Sequence, residues 1–332
     1  MEIKDSLTFN DVLMVPKYSK IVSRKDVDVS VAIKGRKFAF PIVPANMKTI
    51  SGFDMCKFFI DNKSLAITHR FNGYKYQLDM FDRLNKPTDY FSVSVGVKPE
   101  DYKFVDEAYE SGVRIFTVDV AHGHSQQCGS MCYYIWKKCK DILLIAGNVA
   151  TKAGARYLWD KNVDVVKVGI GNSGICSTRL NTGCGVPQLT ALLDIAEEAS
   201  ANYHYIMADG GMSTFGHIGL ALSVADITMS GNMFAGTDET PGDVIDVDGV
   251  KYKRYDGSST HKTDNVEGIR ALVKSKGSVA DRMKLIVENL QSTCSYNGVS
   301  NLYDLKNAVT YVKLTNAGII ESGHHSIDKI VL

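Results

Sequence analysis

The chain has 332 residues, 45% hydrophobic and 23% charged, with 38 basic against 37 acidic side chains and a formal net charge of +1. That apolar content excludes intrinsic disorder, and the balanced charge argues against a nucleic-acid binder or a protein that coats anionic membranes. At roughly 100–200 residues per domain, the length fits two ordinary domains or one large α/β barrel with additions.

The N-terminal run Met1-Glu2-Ile3-Lys4-Asp5-Ser6-Leu7-Thr8 lacks the apolar stretch of a signal peptide. No segment approaches the roughly 18 continuous apolar residues of a membrane span. The cysteines Cys56, Cys128, Cys132, Cys139, Cys176, Cys184 and Cys294 are odd in number and hold no C-x-x-C pair. They fit reduced thiols, and the expected location is cytoplasmic. Cys128, Cys132 and Cys139 share one face of a helix and read as core packing rather than a metal set.

Along the chain, β-rich runs recur at Pro41–Ala45, Leu65–His69, Phe91–Val95, Arg114–Val120, Ile142–Ala146, Asp164–Ile170, Tyr203–Ala208 and Ala225–Ser230. Helix-like segments lie between them, among them Tyr102–Ser111, Lys152–Lys161, Gln188–Ser200 and His217–Val224. Strands alternating with helices imply right-handed βαβ units and a parallel sheet. Eight of them predict the α/β class and a (β/α)8 TIM barrel, with the active site at the C-terminal strand ends. We read residues 1–332 as one such domain with a mobile flap at about 257–277 over the barrel mouth.

The strand ends carry residues suited to ligand contact: Asn46, His69-Arg70, Gly96, Asp119, Gly147-Asn148, Gly169-Ile170-Gly171, Asp209-Gly210-Gly211 and Gly231-Asn232. Such residues are also the common turn formers, so the argument rests on the set and not on any one. Strand six is separated from strand seven by an unusually long loop, Asn172 to Pro187, which contains Cys176 and reads as having no secondary structure of its own. Loops of that kind in compact domains tend to be functional. After strand eight comes a polar excursion, with a charged stretch Lys262–Lys276, and then a helix at Val279–Gln291.

Gly169-Ile170-Gly171-Asn172-Ser173-Gly174 matches G-x-G-x-x-G. A dinucleotide-binding turn also needs a helix directly after it and an acidic residue about 20 positions on, and this context lacks both. The glycines are read instead as letting backbone approach a ligand or ion. Gly210-Gly211 and Gly231-Asn232 end strands seven and eight, the frequent phosphate site of barrels, and Asp209 is placed to accept ribose hydroxyl hydrogens. Cys176, in a polar, glycine-rich loop beside Arg179, is the candidate nucleophile. His122 with His124 and His324 with His325 lack acidic or cysteine company and are not read as metal ligands.

Several phrases together resemble the IMP dehydrogenase/GMP reductase family. They are Leu7-Thr8-Phe9-Asn10-Asp11-Val12-Leu13, Val166 to Gly171 followed by Ile175-Cys176-Ser177-Thr178-Arg179, Thr182 to Gln188, Ala208-Asp209-Gly210-Gly211 and Ala235 to Gly242. The resemblance runs in the family's order along nearly the whole chain. It implies a phosphate-binding barrel in which Cys176 attacks C2 of a purine nucleotide to form a thioimidate. It further implies NADPH near Asp119, Val120, Ala121, Arg70, Ile170 and Gly171, and a monovalent cation, potassium, on carbonyls of Gly169, Gly171 and Cys176. Ser23 and Arg24 match a pair that serves a neighbouring subunit's cofactor, and the implied assembly is a homotetramer.

Three comparisons bear on the branch. Dehydrogenases usually carry a regulatory insert after strand two, and only Phe71 to Tyr90 lie there. They also activate water with an Arg-Tyr pair beyond the Gly-Ser turn; here the turn is Gly257-Ser258-Ser259, and no such pair separates it from Glu267-Gly268. In reductases a glutamate before glycine pairs with the threonine two residues after the cysteine, which implies Glu267 with Thr178. The catalytic set implied is Cys176, Thr178 and Glu267. The nucleotide set is Asp209, Gly210, Gly211, Gly231, Asn232, Tyr255, Gly257, Ser258, Ser259 and Gly268. The activity implied is NADPH-dependent reduction of GMP to IMP and ammonia, in purine metabolism. Alternatives are an insert-free IMP dehydrogenase, a reductase acting on dGMP or a modified purine nucleotide, and a nucleotide sensor without turnover. Asn172-Ser173-Gly174, Asn232 and Asp256 depart from the family pattern, and Asp256 beside the phosphate-facing Tyr255 is expected to repel phosphate.

Overall fold

The computed structural model describes residues 3–199, 204–257 and 268–323. Eight parallel strands form one sheet curled into a barrel: β1 (Ile42–Pro44), β2 (Ala66–Ile67), β3 (Phe91–Val95), β4 (Ile115–Asp119), β5 (Leu143–Val149), β6 (Val165–Val168), β7 (Tyr205–Asp209) and β8 (Ile227–Ser230). Each pairs with its sequence neighbour, and β8 returns to β1 with Met229 opposite Val43. No ladder joins β1 to β2, but Ala39 N–H donates to the Lys63 carbonyl at 3.1 Å just before those strands, closing the ring at its N-terminal end. This is the (β/α)8 architecture expected.

Eight helices surround the ring: α1 (Phe53–Asp61), α2 (Tyr74–Arg83), α3 (Pro99–Glu110), α4 (Gln126–Lys138), α5 (Lys152–Trp159), α6 (Gln188–Ala199), α7 (Phe215–Leu222) and α8 (Val279–Tyr296). Thr151, Thr214 and Ser278 cap α5, α7 and α8 by accepting from backbone N–H groups of the first turn, each contributing about 1 kcal/mol. One apolar layer lies between strands and helices and includes Val93, Val118, Val166, Cys128 and Cys132. Both cysteines, with Cys139, are buried in it as packing.

A second layer fills the barrel itself. Val43, Ile67, Ile115, Ile145, Val165, Met207 and Ile227 point inward and meet Ile33 and Phe38, which belong to a hairpin (Val31–Ile33 with Arg36–Phe38). Because strand side chains alternate with period two, the next inward positions toward the C-terminal ends are Gly147, Lys167, Asp209 and Met229, and on β4 Asp119 follows after Thr117. The barrel interior therefore changes from apolar to charged within one layer, and that layer is the floor of the site.

Three elements differ from expectation. β5 runs to Val149, with a register shift between Gly147 and Val149 against β6, so Gly147-Asn148 lies within a strand and not after one. The cysteine loop contains a helical turn, Thr178–Thr182, ended by Gly183 in the left-handed region. The polar excursion holds an antiparallel sheet of Ile245–Val247, Val250–Asp256 and Arg270–Lys274. Residues 258–267 of the expected flap lie outside the described residues, and Arg270–Lys274 is a strand. Buried Lys253 secures this sheet to the barrel by donating to the carbonyls of Thr237, Asp238 and Thr240. Val12–Met14 pairs antiparallel with Tyr311–Lys313.

Candidate active site

Two recesses open at the C-terminal ends of the strands. The first, of about 300 Å³, is lined by Asn46, Lys48, Arg70, Asp119, Val120, Ala121, Asn148, Lys167, Gly169, Ile170, Gly171, Cys176, Thr178, Asp209, Asp256 and Gly257, among others. The second, of about 410 Å³, is lined by Asn172, Ser173, Gly210, Gly211, Ser230, Gly231, Asn232 and Tyr255, with a few apolar neighbours.

The floor of the first recess is an ionic cluster. Lys167 Nζ, 2% exposed, lies 3.0 Å from Asp119 Oδ1 and 3.2 Å from Asp209 Oδ2. Burial alone would lower the Lys167 pKa, but the two carboxylates outweigh it and keep the amine protonated. Burial would raise the Asp119 pKa; Lys167 first, then Arg70 and a hydrogen bond from Asn46, hold it below the usual carboxylate range. Asn148 Nδ2 donates to Asp209 Oδ2 and to the Gly169 carbonyl, each at 2.8 Å. Gly147 opposite leaves the room: a Cβ there would come within 2.6 Å of Lys167 Cβ.

The loop after β6 is held against this floor. Gly169 has φ +150°, and a Cβ on it would lie 2.2 Å from the Asp209 carbonyl, so only glycine lets the two strand ends approach. Asn172 Nδ2 donates to that same carbonyl at 2.8 Å. Cys176 follows a turn (its N–H donates to Ser173 O, 3.0 Å) and stands half-buried in the first recess. Its Sγ donates to Thr178 Oγ1 at 3.2 Å. The antiparallel sheet reaches the same loop, since Ile269 N–H donates to the Ile175 carbonyl at 3.0 Å and Gly257 packs on Ile175 and Gly268.

In the second recess, Tyr255 is buried beside Gly231, bonded to the Ser173 side chain, and burial pushes its pKa up to about 12. Asp256 is the next residue on the strand and alternation turns it into the first recess, away from Tyr255's side. Ser173 reaches the second recess in spite of its altered motif.

Of the residues expected at the site, Cys176, Thr178, Asp209, Gly257, Asp119, Val120, Ala121, Arg70, Gly169, Ile170 and Gly171 line the first recess. Gly210, Gly211, Gly231, Asn232 and Tyr255 line the second. Gly268 lies against Gly257. Glu267, Ser258 and Ser259 lie outside the described residues. Ser23 and Arg24 line neither recess; Ser23 caps a short turn, and Arg24 donates to Ser292 on α8 at 3.0 Å. Asn46 and Asn148, expected at strand ends as suited to ligand contact, line the first recess, whereas sequence reasoning assigned no role to Lys167 or Lys48. A lysine between valines in a parallel-sheet strand, a class of strand covered on both faces, was the available signal.

A model of the IMP dehydrogenase / GMP reductase domain matches residues 6–325. The chain belongs to the IMP dehydrogenase/GMP reductase family. Its similar relatives include the GMP reductase of Shouchella clausii (strain KSM-K16), 37% identical over 318 residues, which covers 93% of this chain and 95% of the relative. The GMP reductase of Ligilactobacillus salivarius (strain UCC118) is 37% identical over 318 residues, 93% of this chain and 96% of its own. That of Staphylococcus epidermidis (strain ATCC 12228 / FDA PCI 1200) is 35% identical over 320 residues, with 93% and 96% covered. The family match spans both recesses and every element that lines them. Both activities in the family's name are oxidoreductions, and the chain is an oxidoreductase of that kind. Among the described residues no helix is long and apolar enough to cross a membrane.

Proposed function

We propose that this protein is a GMP reductase that converts GMP to IMP and ammonia with NADPH. The observation that carries the reading is the Cys176–Thr178 contact at 3.2 Å in the first recess, on a loop joined through Ile175 to Gly268, the residue after Glu267. Relatives named GMP reductase support the same branch. So does the lack of an Arg-Tyr pair between Gly257 and Gly268.

The thiol passes its proton to Thr178, its hydrogen-bond partner, as Sγ bonds to C2 of the purine. The C2 amino group leaves once protonated, and Thr178, backed by Glu267, is the relay that delivers that proton. Ammonia departs and a thioimidate remains on Cys176. NADPH, when bound, supplies the hydride that reduces C2, and the thiolate is expelled as IMP forms. The floor cluster fits such a cosubstrate: Arg70 Nε is buried without a hydrogen-bond partner among the described residues, next to Asp119 and the Val120-Ala121 backbone. Asp209 accepts from the ribose, which favours GMP over dGMP, and Gly210, Gly211, Gly231 and Asn232 receive the phosphate, with Ser258 and Ser259 completing that set.

Potassium belongs to the same reading. The carbonyls of Gly171 and Cys176 accept no backbone hydrogen bond among the described residues, so both would be free to hold the ion beside Gly169. A homotetramer also fits, because Ser23 and Arg24 lie away from their own subunit's recess, as residues serving a neighbour's cofactor must. All seven cysteines are free thiols, in keeping with a cytoplasmic location.

The test is absorbance at the nicotinamide band for purified protein given GMP with NADPH, or IMP with NAD. The expected result is NADPH oxidation with GMP, abolished in Cys176→Ala while GMP binding remains. Turnover with IMP and NAD alone, or an active Cys176→Ala, overturns the reading.

A further inference from the structure

Behind the second recess stand two cations that the chemistry above does not use. Lys276, just beyond the strand Arg270–Lys274, donates through Nζ to the Asn232 carbonyl at 2.5 Å. Arg282, in the first turn of α8, donates through Nε to the Met233 carbonyl at 3.1 Å. Its guanidinium lies over the ring of Phe215, the first residue of α7, at 4.5 Å. The two side chains therefore hold the turn after β8 from behind, and Arg282 also reaches the helix that follows the turn after β7. Both are half-buried, and among the described residues neither is paired with a carboxylate. Glu239 and Asp281 are spent on the start of α8, where they accept from the Val279 N–H at 2.7 Å and the Ser278 hydroxyl at 2.8 Å. Lys253, which serves carbonyls a few residues further on, has Asp238, Glu239 and Asp243 acting on it. The charge acting on Lys276 is Arg282, of the same sign; burial first, and then Arg282, pull the Lys276 pKa down to about 8.

We propose that Lys276 and Arg282 are positioning residues for a phosphate dianion in the second recess, turning the Asn232 and Met233 carbonyls away from it and setting positive charge behind the turn. The inference rests on the reading above for the nucleotide that carries the phosphate. Neither cation lines the recess, whereas Asn232 does, so the carbonyls they hold point to its rear. The turn itself is tight, with Ala235 N–H donating to the Gly231 carbonyl at 2.8 Å. The N–H groups of Gly231 and Asn232, and that of Gly211 across the recess, have no backbone acceptor among the described residues. Backbone N–H groups freed in this way suit an anion, and cations at the carbonyl side of the same peptides align those dipoles toward it. A half-buried charge without a counter-charge costs free energy, which an anion on the far side of the turn recovers. The phosphate end of the site is thus charged as well as hydrogen-bonding, although no basic side chain enters the recess.

The test compares GMP with guanosine, which keeps the base and ribose and lacks the phosphate, by calorimetry at about pH 7.5, where a phosphate monoester is mostly dianionic. Lys276→Gln should weaken GMP by about tenfold or more and guanosine by less than about twofold, and Lys276→Arg should restore most of the loss. Inorganic phosphate, read by its competition with GMP, should weaken along with GMP. Equal losses for GMP and guanosine would make Lys276 a support of the fold alone, and an unchanged GMP affinity would make its charge irrelevant to the anion. Either result overturns the inference. Arg282→Gln should act in the same direction and is the variant read if Lys276→Gln does not fold; if neither folds, the pair serves the fold and the inference is overturned. A wild type that binds and oxidises IMP instead sinks the reductase reading alone, and the same comparison is then made between IMP and inosine.

Discussion

At the scale of single residues, the chemistry turns on Thr178. Its Oγ1 is the hydrogen-bond partner of Cys176 Sγ, and in the proposed reaction it carries a proton to the departing amine. Thr178→Val keeps the shape and removes the relay. It should lower kcat by about 10²–10⁴ with little change in the GMP dissociation constant, as read by steady-state kinetics beside equilibrium binding. Equal losses in both would mean that Thr178 only shapes the pocket. Cys176, Asp209 and the glycine turns were legible in the sequence because each stands at a strand end in a polar loop. Lys167 was not, since a lone lysine in a strand is ordinarily read as facing solvent. Closure of the ring puts its face inside, where Gly147 clears the space and two aspartates supply the charge.

At the scale of elements, the site depends on how the antiparallel sheet meets the cysteine loop. Gly257 lies so close that a Cβ would be 2.6 Å from the Ile175 carbonyl and 3.0 Å from Gly268 Cα. Gly257→Ala should push the sheet off the loop, lower stability by about 1–3 kcal/mol and reduce turnover along with the melting temperature. Gly216→Ala, on the first turn of α7 with only Thr214 Oγ1 nearby at 3.8 Å, is the control; it should leave stability unchanged or raise it by up to about 1 kcal/mol. Melting curves of both variants check the contrast. The barrel strands could be read from period and spacing. The antiparallel sheet could not, because Val250–Asp256 mixes lysine, arginine and tyrosine and its partner Arg270–Lys274 lies beyond a long polar segment. That strand also sets the side of Asp256, which follows from alternation once the strand is known.

At the scale of the whole molecule, acid stability follows from histidines that the fold keeps neutral. His69 is 1% exposed, its Nδ1 accepts the Phe71 N–H at 3.2 Å, and burial, assisted by Lys48, pulls its pKa down to about 4. Burial also lowers the pKa of His204 and His217. An unfolded histidine titrates near 6.5, so between that value and about 4 the unfolded chain binds the proton that folded His69 refuses. Stability is then full above about pH 6.5 and is lost as pH falls, by up to about 3 kcal/mol from His69. The melting temperature should drop between about pH 7 and pH 5, and His69→Gln should flatten that slope. A slope unchanged in the variant would remove His69 from the account. The near-neutral charge of the chain is compatible with the proposed anionic nucleotide, because in that reading backbone turns at the strand ends receive the phosphate. The central claim, that hydride enters at C2 after ammonia has left, is tested most directly with GMP and NADPH deuterated at both C4 positions of the nicotinamide. The account predicts IMP carrying a single deuterium at C2; a product free of deuterium, or one oxidised at C2 to xanthosine monophosphate, would contradict it.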